Sequence, residues 1–163
     1  MVKILGAVMT GAACGCFGFK LSLSMKTRVK SLADIAASLE MLESEISFSV
    51  NKLKKAFARA DRNGLFTSAA DNMEENGIDR AWTEAVDKNK SRLCLTSADS
   101  DILLMLGKNI GRTDAEDQIK NIKYIKAMVK EREKQAQSDY DRFGKLYRSG
   151  GVLIGLMIII ILI

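Results

Sequence analysis

The chain has 163 residues, with 25 Lys plus Arg against 20 Asp plus Glu, no histidine and no proline. That length makes one modest domain, and the missing histidine removes the commonest general base and metal ligand. A net charge of +5 without an Arg/Lys patch interleaved with aromatics speaks against a nucleic-acid surface.

Residues 4–19 carry no charge and lie between Lys3 and Lys20, with Lys26, Arg28 and Lys30 following. These sixteen residues rise about 24 Å as a helix, against a hydrocarbon core of ~30 Å. Met1, Val2 and the stem of Lys3 can extend the run, so it is expected to span a membrane. Other readings stay open. The run could be a cleaved signal peptide, with small residues at Ala12 and Ala13. It could also be a lipoprotein signal anchoring an exported protein at Cys14, although the usual leucine three residues earlier is missing. Cys14 and Cys16 look like a metal pair, but would face different sides of a helix, so small packing residues is the simpler reading; Cys94 stands alone.

Leu32, Ile35, Leu39, Leu42 and Ile46 follow at steps of three and four, which predicts a long helix over residues 31–49. Glu40, Glu43 and Glu45 on it are expected on a solvated face. Shorter helices are expected over residues 51–60, with Leu53, Ala56 and Phe57 on one face, and over 65–75, with Phe66, Ala69 and Met73. Asn63-Gly64 and Asn76-Gly77 separate them, and Asp79 is expected to cap a helix carrying a core Trp82. Thr96 and Asp99 form a capping box before Ile102, Leu103, Leu106 and Ile110, and Gly111 is expected to end that helix in a left-handed conformation. No stretch alternates with period two, so no sheet is expected.

Thr113 and Glu116 form a second capping box. Ile122, Ile125, Val129, Ala136, Tyr140, Phe143 and Tyr147 then recur at threes and fours, with one polar gap at Arg132. Residues 150–163 have no polar side chain beyond backbone and serve as a second span, lengthened by Leu146 and Tyr147. Residues 113–148 rise about 54 Å as one helix, holding the 111–114 turn far from a bilayer. The predicted architecture is all-α: residues 1–20 a transmembrane helix, 21–148 an antiparallel bundle of about six helices, 149–163 a second transmembrane helix. Gly11 with Gly15, and Gly151 with Gly155, are four apart, a spacing that lets membrane helices approach closely; glycine is also simply frequent in such helices. Between the two runs lie 24 basic and 20 acidic side chains. The positive-inside rule puts this middle in the cytoplasm and both termini outside.

No residue pattern points to catalysis. A Ser, Cys or Lys nucleophile lacks a histidine partner, and no phosphate-binding glycine loop exists. No cofactor or metal is expected, which leaves a membrane-embedded enzyme or small-molecule binder as the rival reading.

Several segments carry a resemblance. Residues 3–7 (Lys3, Ile4, Leu5, Gly6, Ala7), 42–46 (Leu42, Glu43, Ser44, Glu45, Ile46), 106–114 from Leu106 to Asp114, and 145–153 from Lys145 to Leu153 resemble the stage III sporulation protein AB family (SpoIIIAB) of endospore-forming bacteria. Gln118, Lys120 and Ile122 fall at the family's positions. Two departures stand out: the family's proline after the first long helix is replaced by Phe48-Ser49-Val50, and its arginine after the junction aspartate by Ala115, so no contact of that arginine carries over. The resemblance implies a soluble domain similar to that of the type II secretion F protein. It also implies a non-enzymatic platform or adaptor in a channel complex between mother cell and forespore, with the SpoIIIAA ATPase and other stage III components as partners; the glycine spacing separately allows a homo-oligomer. Arg112, Asp114, Gln118 and Lys120 are the candidate partner contacts, and Arg112, Gln118 and Lys120 are expected to meet an acidic surface; Thr113 and Asp114 have a local capping role.

Overall fold

A computed structural model of the chain describes residues 2–48, 53–110 and 114–162. Six helices make up this part: α1 (Val2–Phe48), α2 (Leu53–Ala60), α3 (Leu65–Asn76), α4 (Ile78–Lys90), α5 (Ser97–Asn109) and α6 (Ala115–Leu162). Among the described residues there is no strand. The chain divides into two compact units, one of residues 30–134 and one of residues 1–29 with 135–163.

In the first unit the predicted stripes become the core. Leu32, Ile35, Leu39, Leu42 and Ile46 of α1 are buried, as are Ile122, Ile125 and Val129 of α6. The short helices pack in sequence, α2 on α3, α3 on α4 and α4 on α5. Their centre is aromatic: Phe57, Phe66 and Trp82 meet in three tilted or edge-on pairs with centroids 5.0 to 5.6 Å apart. Such geometry sets the positive edge of one ring against the negative face of another. Trp82 is fully buried and its indole N–H donates to the Leu103 carbonyl at 2.6 Å. Gly107 makes room for that ring, since a Cβ there would lie 2.6 Å from Trp82 Cδ1.

The helix ends differ from expectation at the starts of α6 and α4. Asp114, not Thr113, caps α6: its Oδ1 accepts from the Asp117 N–H at 2.9 Å. Thr113 lies outside the described residues, and Glu116 pairs instead with Lys120. Asp79 sits inside the first turn of α4, whose N-cap is Gly77. The C-cap of α5 is Ile110, in extended conformation; Gly111 lies outside the described residues. The Asn63-Gly64 turn is built by Asp61. Its Oδ1 accepts from the backbone of Asn63, Gly64 and Phe66, and its Oδ2 from the Thr67 hydroxyl at 2.6 Å. Gly64, at φ 83, takes a backbone conformation that a side chain would strain. The Thr96–Asp99 capping box forms as predicted.

Candidate functional site

Polar side chains join the long helices of the 30–134 unit. Glu43 of α1, expected on a solvated face, meets two lysines of α6, Lys126 at 2.7 Å and Lys123 at 3.7 Å. Glu40 meets Lys130 at 4.0 Å. Descending α1 from 43 to 40 ascends α6 from 126 to 130, so the paired segments run in opposite directions. The Lys126 hydrogen bond is the main cause that holds the Glu43 carboxyl below the usual carboxylate range; desolvation opposes it, and the charges of Lys126 and Lys123 add to it. Burial alone would push Asp61 up, but the bonds from Thr67, Asn63 and Phe66 together hold it low.

The polar gap in the α6 stripe has a partner. Arg132 Nε donates to Asp99 Oδ1 at 2.8 Å, and Arg132 Nη2 lies 3.4 Å from the Thr96 hydroxyl. The Asp99 side chain has no exposed surface, so one carboxylate both closes the α5 cap and holds α6. A charge at a core position of an otherwise apolar stripe requires such a buried counter-charge. That signal was present in the sequence at Arg132, but it does not say which acid answers it.

At the start of α6 the candidate contacts divide. Asp114 and Lys120 are exposed, Gln118 is buried and Arg112 lies outside the described residues. The Lys120 ammonium is 3.0 Å from Glu116 and 3.6 Å from Asp117. The hydrogen bond to Glu116, followed by the charges of Asp117 and Asp114, raises its pKa. Lys120 is thus engaged by its own helix turn, and the described surface of that turn is dominated by acids.

The second unit holds a different arrangement. Gly18 of α1 lies against α6 so closely that a Cβ would stand 2.5 Å from the Tyr147 carbonyl oxygen and 3.0 Å from Gly151 Cα. Of the four glycines at the predicted spacing, Gly151 is at this contact, Gly155 is buried and Gly15 has nothing within 4 Å of its Cβ position. The surroundings of Gly11 are outside the described set. Gly18 lies outside either four-residue spacing and was missed. It sits seven residues, two helical turns, beyond Gly11 and could have been found by extending the glycine face. Beside the contact runs an apolar groove of about 650 Å³. Phe17, Phe19 and Leu23 on α1, and Leu153, Ile160 and Ile161 on α6, are all more than half exposed. Among the described residues α6 is the one helix long and apolar enough to cross a membrane. No group of three or more potential metal-ligating side chains occurs among them.

Comparison with known proteins places this geometry. The sequence model of a family described as Stage III sporulation protein AB matches residues 3–163. Stage III sporulation protein AB of Bacillus subtilis (strain 168) is 26% identical over 170 residues, covering 99% of each chain. A solved structure of Stage III sporulation protein AB (SpoIIIAB) is similar with a TM-score of 0.63 at 22% identity, covering 70% of this chain and 96% of that one. The last likeness is one of fold.

Proposed function

Because the chain belongs to the stage III sporulation protein AB family, we propose that it is a non-enzymatic membrane platform of a sporulation channel complex, linking membrane partners to a cytoplasmic ATPase. In this reading both apolar runs cross the mother-cell membrane facing the forespore. The antiparallel bundle between them stands in the cytoplasm and both termini lie outside. The ATPase SpoIIIAA and other stage III components are its partners.

The observation that carries the reading is the Gly18–Gly151 approach. It brings together two charge-free runs whose side chains have no core to enter. In water such exposed apolar surface is costly; in lipid it is the ordinary outer face of a span. Charges favour the orientation: Lys20, Lys26 and Arg28 follow the first run, while Arg142, Lys145 and Arg148 precede the second. The 30–134 unit is then the part available to soluble partners.

A photo-crosslinker at exposed positions of that unit, such as Tyr124 or Lys120, tests the role in sporulating cells. Capture of SpoIIIAA or another stage III component is expected. Absence of any such adduct across the exposed positions, with the protein present in the membrane, contradicts it.

A further inference from the structure

We propose that Asn76 is a site of spontaneous covalent modification. Its side chain closes on the Gly77 nitrogen to a succinimide, which water opens to aspartate and isoaspartate, while the chain's other Asn-Gly pair, Asn63-Gly64, is protected. Asparagine is a thermolabile residue, and a following glycine has no side chain to obstruct attack by its nitrogen. Both pairs meet that condition. The structure separates them by what holds the peptide link between the two residues.

At Asn63-Gly64 the reacting groups are occupied. The Gly64 N–H donates to Asp61 Oδ1 at 3.0 Å, and the Asn63 carbonyl oxygen accepts from Arg92 Nη2 at 2.6 Å. The Asn63 side chain is held as well: Oδ1 accepts from the Leu65 N–H at 3.2 Å, and Nδ2 donates to the Ser31 carbonyl at 3.5 Å. Turning this link until the Gly64 nitrogen meets Asn63 Cγ breaks these bonds together.

Asn76-Gly77 is held by none of these means. Among the described residues no hydrogen bond is made by the Gly77 N–H or to the Asn76 carbonyl, as is common where a helix runs out of partners. A Cβ at Gly77 would meet nothing within 4 Å. The pair lines an open cavity of about 540 Å³, which gives the link room to turn and admits water. Asn76 Nδ2 donates to the exposed Glu84 Oε2 at 3.4 Å, a contact that turning gives up.

In the first step the Gly77 nitrogen bonds to Asn76 Cγ and loses its proton, and the side-chain amide leaves with that proton as ammonia. Water then adds to one imide carbonyl. Cleavage at Cγ restores the main chain and leaves aspartate; cleavage at the main-chain carbonyl leaves isoaspartate, with Cγ in the main chain. Either product sets a carboxylate where an amide had donated to Glu84, and Asp79 lines the same cavity; like charges repel there. Isoaspartate also lengthens the α3–α4 turn by a methylene.

The test holds the full chain in mild detergent at mildly alkaline pH and follows it by peptide mass mapping that resolves aspartate from isoaspartate. In the folded chain, conversion of Asn76 with Asn63 intact is expected. In concentrated urea, where both turns are lost, the two should convert alike. Asn76→Gln keeps the glycine, but a side chain one methylene longer closes less readily, so the acidic species that accumulate on anion exchange should be lost. An intact Asn76 in the folded chain, conversion of Asn63 alongside it, an Asn63 that stays intact in urea, or the same acidic species in Asn76→Gln each overturns the proposal.

Discussion

The same two helices meet twice in this chain, by opposite means. Between residues 30 and 134, α1 and α6 bury branched aliphatic stripes and are fastened by charge, Glu43 of α1 to Lys126, while Asp99 of α5 holds Arg132 of α6. In the unit of residues 1–29 and 135–163 they touch through glycine, and the large apolar side chains point away from the contact. The difference is the one that the proposed membrane placement calls for. Burying apolar area is a driving force only when the alternative is water. Where lipid surrounds the helices that force is absent, so close backbone approach and packing take over.

The sharpest way to break the first half of the comparison is to remove Arg132. Arg132→Ala leaves the fully buried Asp99 carboxylate without its counter-charge and should destabilise the unit by ~3–5 kcal/mol. The effect is read by urea unfolding of the detergent-solubilised chain with fluorescence of Trp82, its one tryptophan. Adding Asp99→Asn should recover much of the loss, because the uncompensated charge goes while the cap acceptor stays. A single variant as stable as the native chain contradicts the lock. Leu42→Ala, at a fully buried stripe position, should cost ~2–5 kcal/mol by the same assay; an unchanged midpoint would put the α1–α6 seam elsewhere.

Acid gives a smaller and graded effect. Glu43 and Asp61 bind protons less readily folded than unfolded, so the stability they contribute is complete above the ordinary carboxylate value of ~4.3. It is lost as pH falls through their lowered folded values. The urea midpoint should therefore decline below about pH 4, and Glu43→Gln should make that decline shallower. A variant with the native slope contradicts the role of the Glu43–Lys126 pair. Smallest in stability is Arg112→Glu with Lys120→Glu. A charge as exposed as Lys120 contributes little to folding, so the midpoint should move by under ~1 kcal/mol equivalent, and under the proposed role binding to SpoIIIAA should weaken. Unchanged binding would move the docking face away from the start of α6.

Periodicity was the legible part. Every stripe residue from Leu32 to Ile46, and Ile122, Ile125 and Val129, is buried, because a period near 3.6 on a long charged background admits one helical face. The stripe fades where it was expected to continue: Tyr140 is half-buried, while Phe143 and Tyr147 are exposed. Caps were legible in kind but not in position. The caps fall on Asp114 and Gly77 rather than on Thr113 and Asp79 because a cap belongs to whichever residue leaves the helical dihedrals, and the exact boundary is not fixed by a local side-chain pattern. The antiparallel course of the two long helices was legible, but most of the individual residue pairs between distant segments were not. Asp99 with Arg132, Gly107 with Trp82 and Gly18 with Gly151 depend on which faces tertiary packing brings together, and no local pattern encodes that.

The central claim is that the two glycine-joined runs cross a membrane as a pair and leave the 30–134 unit on its cytoplasmic side. Single-cysteine variants in a chain whose native cysteines are serine test it most directly, expressed in vegetative cells and treated with a membrane-impermeant maleimide. A cysteine added after Ile163 should be labelled in intact cells, and Lys88→Cys, at an exposed position of α4, only after permeabilisation. Labelling of Lys88→Cys in intact cells, or protection of the C-terminal cysteine, would contradict the account.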